Sequence, residues 1–263
     1  MHPGASHQQG DRLWLVGGTG EGPPLALTLL ARGWKVRVFV VSAAAALAYP
    51  ASQGLEVAVG PLGDAANLID KLEQARAAAV APRWVIDATH PFAQRISDDL
   101  AGVCGALQQP LLRLVRPLLP AEGATLLPRL ASLGAVPLQG RALLLAIGAR
   151  QLRLAMDLSP GARHHCRILP SASALAGAMA AGLRPERVAC LRPGTEAAIE
   201  RALCRRWGIE AVLCRRSGGP TEAHWQRLST EAQLRLLLLD RPAEPPGVEG
   251  LGWEELLERI GLP

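Results

Sequence analysis

A chain of 263 residues with 49% hydrophobic content can bury one large core or two smaller ones. Its formal net charge is +5, yet only 3% of its residues are aromatic, which argues against the stacking platforms that single strands and RNA need and leaves an acidic small molecule as the better partner. The longest apolar runs are too short to cross a bilayer and the polar N-terminus lacks an apolar signal core, so the expectation is a cytoplasmic protein with no membrane and no nucleic-acid partner.

All but two of the basic residues are Arg, the exceptions being Lys35 and Lys71. They are dispersed rather than striped, as an arginine-biased genome would leave them, while their planar forks suit carboxylate or phosphate. Five cysteines (Cys104, Cys166, Cys190, Cys204 and Cys214) make no CxxC and no Cys/His spacing of a zinc site. They read as reduced and structural, no metal site is expected, and His164 and His165 of the "HHC" string read as surface residues.

In chain order, short apolar runs alternate with Ala/Leu-rich helical stretches, the rhythm of an α/β protein with mainly parallel sheets. The first half predicts strands at "RLWLVG", "KVRVFVVS", "LEVAVG", "RWVIDAT" and "PLLRLV". Between them it predicts helices at "PPLALTLLARG", closed by Gly33, then "AANLIDKLEQARA" and "FAQRISDDLAGVCGALQ". After a Pro-rich stretch from Pro117 to Pro128 the rhythm restarts with strands "RALLLAIG", "HCRILP", "RVACLRPG", "EAVLCRRSGG" and "LRLLLLDRP". The expected division is therefore residues 1–120 and 121–263, with a cleft between the two halves and a tail made of a linker plus a short amphipathic helix. Ligands of such sheets bind at the carboxyl ends of the strands.

Three strand ends carry unusual chemistry. "LWLVGGTGEG" places Gly17, Gly18, Gly20 and Gly22 between the first strand and first helix, where glycines either make a tight turn or let a pyrophosphate approach the helix N-terminus. The spacing is not a clean GxGxxG and lacks the ending of a phosphate-binding NTPase loop. The second strand closes on Ser42 where NAD sites usually carry an acid, which leans toward NADP, although no arginine follows in "AAAALAYP". The fourth strand ends in "VIDATHPFAQRIS", with Asp87, Thr89, His90 and Phe92 at its carboxyl end. His90 is either a proton donor or ring wall, or a helix-start histidine ahead of a first-turn proline. In the second half, Arg215 and Arg216 are suited to carboxylates, while Ser217, Gly218 and Gly219 offer backbone N–H groups to an anion or simply turn the chain.

Taken together, "GGTGEG", "VGPLGDAANLIDKL", "IDATHPFA", "PLLRLVRP" and "SGG" occur in an order that resembles the precorrin-6A reductases of cobalamin biosynthesis, over roughly residues 12–242. The resemblance implies an α/β enzyme with two Rossmann-like domains, the first binding the cofactor and the second completing a substrate cleft. It implies reduction of one double bond of a tetrapyrrole macrocycle by NADPH, NADH not being excluded. By position, it assigns Gly17, Gly18, Thr19, Glu21 and Gly22 to the cofactor loop, with Ser42, Gly60, Gly63, Asp87 and Thr89 as further cofactor contacts. Glu21 is expected to face ribose hydroxyls or backbone N–H groups, because a carboxylate beside phosphate is costly. The substrate side comprises His90, Pro91, Phe92, Arg116, Arg215, Arg216, Ser217, Gly218 and Gly219, with His90 as the candidate catalytic residue.

This chain departs from the family pattern in three places. "SAAAALA" replaces a segment that usually carries an arginine, "VGPLGD" keeps Gly60 and Gly63 without the usual aromatic, and Arg215 stands where a lysine is common. A short-chain dehydrogenase is disfavoured because Tyr49, the only tyrosine, is followed four residues later by Gln53 rather than Lys. A non-catalytic dinucleotide-binding protein is the other alternative, and the sequence leaves the oligomeric state open.

Overall fold

The computed structural model describes residues 10–18, 20–192 and 198–263. Thr19, and with it Pro193 and Gly194 of "RPG", lie outside the described residues. The chain runs β1 (Arg12–Gly17), α1 (Gly22–Ala31), β2 (Lys35–Val40), α2 (Ala43–Ala46), β3 (Leu55–Val59), α3 (Ala65–Ala77), β4 (Trp84–Ala88), α4 (Gln94–Ala106) and β5 (Leu111–Leu114). It continues through β6 (Thr125–Leu127), β7 (Ala142–Ala146), α5 (Leu152–Leu158), β8 (Arg163–Ile168), α6 (Ala172–Ala180), β9 (Val188–Cys190) and α7 (Ala198–Trp207). It closes with β10 (Ala211–Arg215), α8 (Pro220–Glu231), β11 (Arg235–Leu239), β12 (Glu249–Leu251) and α9 (Trp253–Ile260).

Two compact units result: Met1–Arg116 with Pro242–Pro263, and Pro117–Arg241. Unit 1 holds a six-stranded parallel sheet in the order β12-β5-β4-β1-β2-β3. Successive residues of β1 point to opposite faces. Leu13 and Leu15 pack under α1 and α9 with Leu25, Leu29, Leu256 and Ile260, whereas Trp14 and Val16 pack with Leu68 and Leu72 of α3 and Leu100 and Val103 of α4. Burial on both faces is what makes β1 an uninterrupted apolar run. Gly33 closes α1 as expected, with a left-handed φ of +93°. Asp64 caps α3, its Oδ1 accepting from Asn67 N at 3.1 Å.

Unit 2 repeats the plan, with a six-stranded parallel sheet in the order β6-β11-β10-β7-β8-β9. Its core on one face is built by Leu144, Val212, Cys214, Trp225, Leu228 and Leu238.

Unit 2 begins at Pro117, the first residue of the Pro-rich stretch, whereas residues 242–263 depart from the expected division. β6 lies inside the Pro-rich stretch read as a boundary, where it adds an edge to β11. The tail does not stay with the second half: β12 extends the first sheet beside β5, and α9 docks beneath it. Two hydrogen bonds hold that helix, from Trp34 Nε1 to Gly261 O at 3.1 Å and from Arg32 Nη1 to Leu257 O at 2.6 Å. Three-residue strands carry too little alternation to be read from sequence, and their pairing is set by an edge supplied from elsewhere in the chain. His164 and His165 are likewise buried rather than on the surface: His164 Nε2 lies 2.9 Å from Ser159 Oγ, and the His165 ring stacks on Trp207 at 4.9 Å.

Candidate active site

In unit 1 the strand order changes direction between β1 and β4, so the loops leaving these neighbours diverge and open a crevice at their carboxyl ends. Register places Val16 beside Asp87 and Gly17 beside Ala88. The glycine turn and the "DATHPF" turn, separated by about seventy residues in sequence, therefore emerge side by side.

The glycine turn is held by Tyr49. Its phenol donates to Gly18 O at 2.7 Å, and its oxygen occupies the space where a Cβ on Gly22 would stand. A Cβ on Gly17 would meet the Tyr49 oxygen and Ala88 O at 3.6 Å each. By contrast nothing among the described residues lies within 4 Å of the Cβ direction of Gly18, so that backbone is open to a ligand on the described side. The turn thus fits a dinucleotide phosphate sterically, but the helix behind it offers fewer donors than expected. Pro23 and Pro24 follow Gly22 at the start of α1 and have no N–H, and Leu25 N is engaged by Glu21 O at 3.0 Å. Glu21 also differs from expectation. Its carboxylate is met by the Arg116 guanidinium, Nη2 to Oε2 at 2.5 Å, because Arg116 extends from just beyond β5 to the glycine turn.

Asp87 is buried, and its carboxylate is directed into the protein. Oδ2 pairs with Arg113 Nη1 and Oδ1 accepts from Thr89 N at 2.9 Å. The same Arg113 nitrogen donates to Ser97 Oγ at 2.8 Å, Ser97 Oγ is 3.2 Å from Thr89 Oγ1, and Arg113 Nε pairs with Glu244. This network fixes the backbone that presents Thr89 and His90. The next residues form a tight turn, Ala93 N donating to His90 O at 2.7 Å, and α4 starts only at Gln94. Pro91 therefore serves the turn rather than the first turn of a helix. His90 is exposed, its Nδ1 accepts from Phe92 N at 3.2 Å, and its ring is tilted against Phe92 at 5.8 Å. With Nδ1 as acceptor, the neutral ring carries its proton on Nε2.

Ser42 lies two residues beyond β2, which ends at Val40, and caps α2 with Oγ accepting from Ala45 N at 3.2 Å. Gly60 has φ of +126°, and nothing among the described residues lies within 4 Å of its Cβ direction. Gly63, at φ +89°, would meet the Asn67 side chain at 2.6 Å if it carried a Cβ.

Unit 2 has its own point of reversed strand order, between β7 and β10. Gly148, at φ +81°, turns the chain after β7 and lies beside Arg215, whose Nη2 donates to Gln151 Oε1 at 3.0 Å. Burial, with Arg150 adding like charge, lowers the Arg215 guanidinium from its usual range. Arg216 is turned to Asp240 at 3.0 Å. Ser217 is buried, Gly218 takes φ of +72°, and Gly219 caps α8. The expectation that this loop presents free N–H groups to an anion is corrected at Gly218. Its N–H donates to Glu222 Oε2 at 2.7 Å, so a buried carboxylate of the protein already occupies that position. A cavity of about 350 Å³ lined by Arg153, Met156, Asp157 and His164 lies around the amino-terminal half of β8, away from the strand ends just described.

Tyr49, Arg113 and Glu222 were not among the sequence candidates. Arg113 inside the apolar run "PLLRLV" was the available signal, since a buried strand arginine demands a carboxylate partner. Glu222, four residues after Gly218, and the lone Tyr49 carry no comparable mark.

Residues 12–260 match the family model described as precorrin-6x reductase CbiJ/CobK. The chain is 34% identical over 241 residues to a cobalt-precorrin-6A reductase of Synechocystis sp., covering 89% of this chain and 90% of that protein. It is 30% identical over 238 residues to a precorrin-6A reductase of Rhodobacter capsulatus, covering 89% of each. A solved structure of a CobK precorrin-6A reductase superposes with a TM-score of 0.74 at 25% identity over 95% of both chains. Described relatives and fold agree, and the chain belongs to the precorrin-6x reductase CbiJ/CobK family, enzymes that require a nicotinamide cofactor.

Proposed function

We propose that the protein reduces precorrin-6A to precorrin-6B with NADPH, in the cytoplasm, as a step of corrin-ring assembly. The observation that carries this reading is the register of β1 against β4, which joins the glycine turn to the "DATHPF" turn at one crevice in a chain of this family. No helix among the described residues is long and apolar enough to cross a membrane.

A bound reduced nicotinamide supplies hydride to one carbon of the macrocycle, and a proton goes to its neighbour. The chain's residues position the reactants and supply that proton. Gly17, Gly18 and Gly22 would hold the cofactor phosphates, and Ser42, Gly60 and Gly63 would border its adenosine end. Asp87 acts indirectly in this scheme: through Arg113 and Thr89 N it holds the turn that carries His90. His90 and Phe92 form the wall against the macrocycle. As a proton donor His90 acts as the imidazolium: it takes up a proton from solvent, gives up the Nδ1 contact with Phe92 N, delivers the proton from Nε2 and is left as the neutral ring. In unit 2, Arg215 meets a peripheral carboxylate of the tetrapyrrole, with Arg216, Ser217, Gly218 and Gly219 shaping the backbone around it, while in unit 1 Pro91 shapes the turn that carries His90.

Anaerobic incubation with precorrin-6A, metal-free and cobalt-loaded, while NADPH and NADH oxidation are followed in parallel, tests the reaction, the cofactor and the form of the substrate together. Oxidation of NADPH with formation of precorrin-6B is expected. Absence of oxidation with either substrate form overturns the reading in favour of a non-catalytic dinucleotide-binding protein.

A further inference from the structure

We infer that Arg116 is the cation of the dinucleotide-phosphate subsite in unit 1, and that Glu21 holds it in place as a stand-in anion until a phosphate oxygen takes over.

The inference deepens the proposed function and rests on its reading of the glycine turn as a cofactor site. A phosphate over this turn needs positive charge or donors, and the usual sources are depleted. Pro23 and Pro24 remove two N–H groups from the first turn of α1, and Leu25 N is engaged by Glu21 O. The end of β2 offers Ser42 and alanines but no cation.

Arg116 makes good the deficit from another strand. It lies two residues beyond β5, and β4 stands between β5 and β1, so its side chain reaches over the carboxyl end of β4 to the glycine turn. Its Nη2 lies 2.5 Å from Glu21 Oε2 and 3.3 Å from the Cβ direction of Gly20. The two side chains are 15% and 24% exposed, sheltered enough to feel each other strongly and open enough for exchange. A guanidinium binds carboxylate and phosphate with the same planar fork, so the swap conserves its hydrogen-bond geometry. Glu21, left without its partner beside an incoming phosphate, opposes binding. This gives the two partners opposite signs.

The test is equilibrium binding of NADPH and NADH to the full chain without tetrapyrrole, read by fluorescence or calorimetry, with thermal unfolding of each variant as a folding control. Arg116→Gln is expected to weaken NADPH binding about tenfold or more, the loss of one charge-assisted contact. Glu21→Gln is expected to tighten it by roughly three- to tenfold, by removing the carboxylate that competes for Arg116 and a like charge beside the phosphate. Arg116→Lys should recover part of the loss, and added salt should weaken the wild type more than Arg116→Gln. Weaker binding in Glu21→Gln overturns the inference, since it means that Glu21 itself contacts the ligand or only braces the turn. Unchanged binding in Arg116→Gln overturns it too, while a changed KM for tetrapyrrole there returns Arg116 to the substrate side. A wild type that binds neither dinucleotide overturns the cofactor reading together with the inference, whereas wild-type binding with unaffected variants removes only the inference.

Discussion

The hydroxyl of Tyr49 bonds to Gly18 O at 2.7 Å while occupying the space that a Cβ on Gly22 would need. A residue from the α2–β3 connection thus dictates both the path of the glycine turn and the absence of a side chain at the start of α1. Gly22→Ala is expected to destabilise the fold by about 1–3 kcal/mol through overpacking, despite the better helix propensity of alanine. Removing the hydroxyl relieves part of the clash, so the Gly22→Ala/Tyr49→Phe pair should cost less than the sum of the single variants in urea unfolding.

Burial raises the Tyr49 phenol to about 12 from the ordinary 10.0. Because the proton that donates to Gly18 O is retained more tightly when folded, stability is full below pH 10 and declines as pH rises toward 12. Tyr49 is the only tyrosine, so tyrosinate absorbance reports this site alone. The titration should fall well above that of the urea-unfolded chain, and coincident titrations would remove the buried hydrogen bond.

At the neighbouring turn, Asp87 and Arg113 are almost wholly buried and Glu244 is the second carboxylate on the same guanidinium. Asp87→Ala is expected to cost about 3–5 kcal/mol, as for breaking one partner of a buried pair. It should also lower kcat more than it changes dinucleotide affinity, because Thr89 N loses the acceptor that holds the His90 turn. Urea unfolding and a kcat-against-Kd comparison check the two halves of this statement.

His90→Ala should slow turnover at saturating substrate by about 10²-fold or more while leaving NADPH affinity near wild type, the mark of a general acid. Unchanged turnover would take His90 out of proton transfer.

In unit 2, burial lowers the imidazoles of His164, His165 and His224 below the ordinary 6.5. The unfolded chain therefore binds more protons as pH falls below about 6.5, and stability present above that pH is lost toward acid. The urea midpoint is expected to drop between pH 7.5 and about 5.5, and less steeply in His224→Gln.

The apolar runs and their spacing determined strands β1 to β5 and β7 to β11, three helices of unit 1 and the tail helix, because strands buried on two faces must be continuously apolar, whereas β6, β12 and the helices of unit 2 were not read from the sequence. The same local logic marked the glycine turn and the "DATHPF" turn, whose compositions differ from any ordinary loop. Only tertiary structure decided which loops meet. The side-by-side placement of Gly17 and Ala88 follows from the order β4-β1, which parallel pairing sets through nonlocal contacts. It also decided that residues 242–263 return to the first sheet, since an open edge at β5 accepts a strand too short to announce itself. The partners of Glu21, Asp87 and Gly18 were likewise beyond sequence reading. Charge complementarity and steric exclusion act through space, and Arg116, Arg113 and Tyr49 reach their partners across 95, 26 and 31 residues of chain.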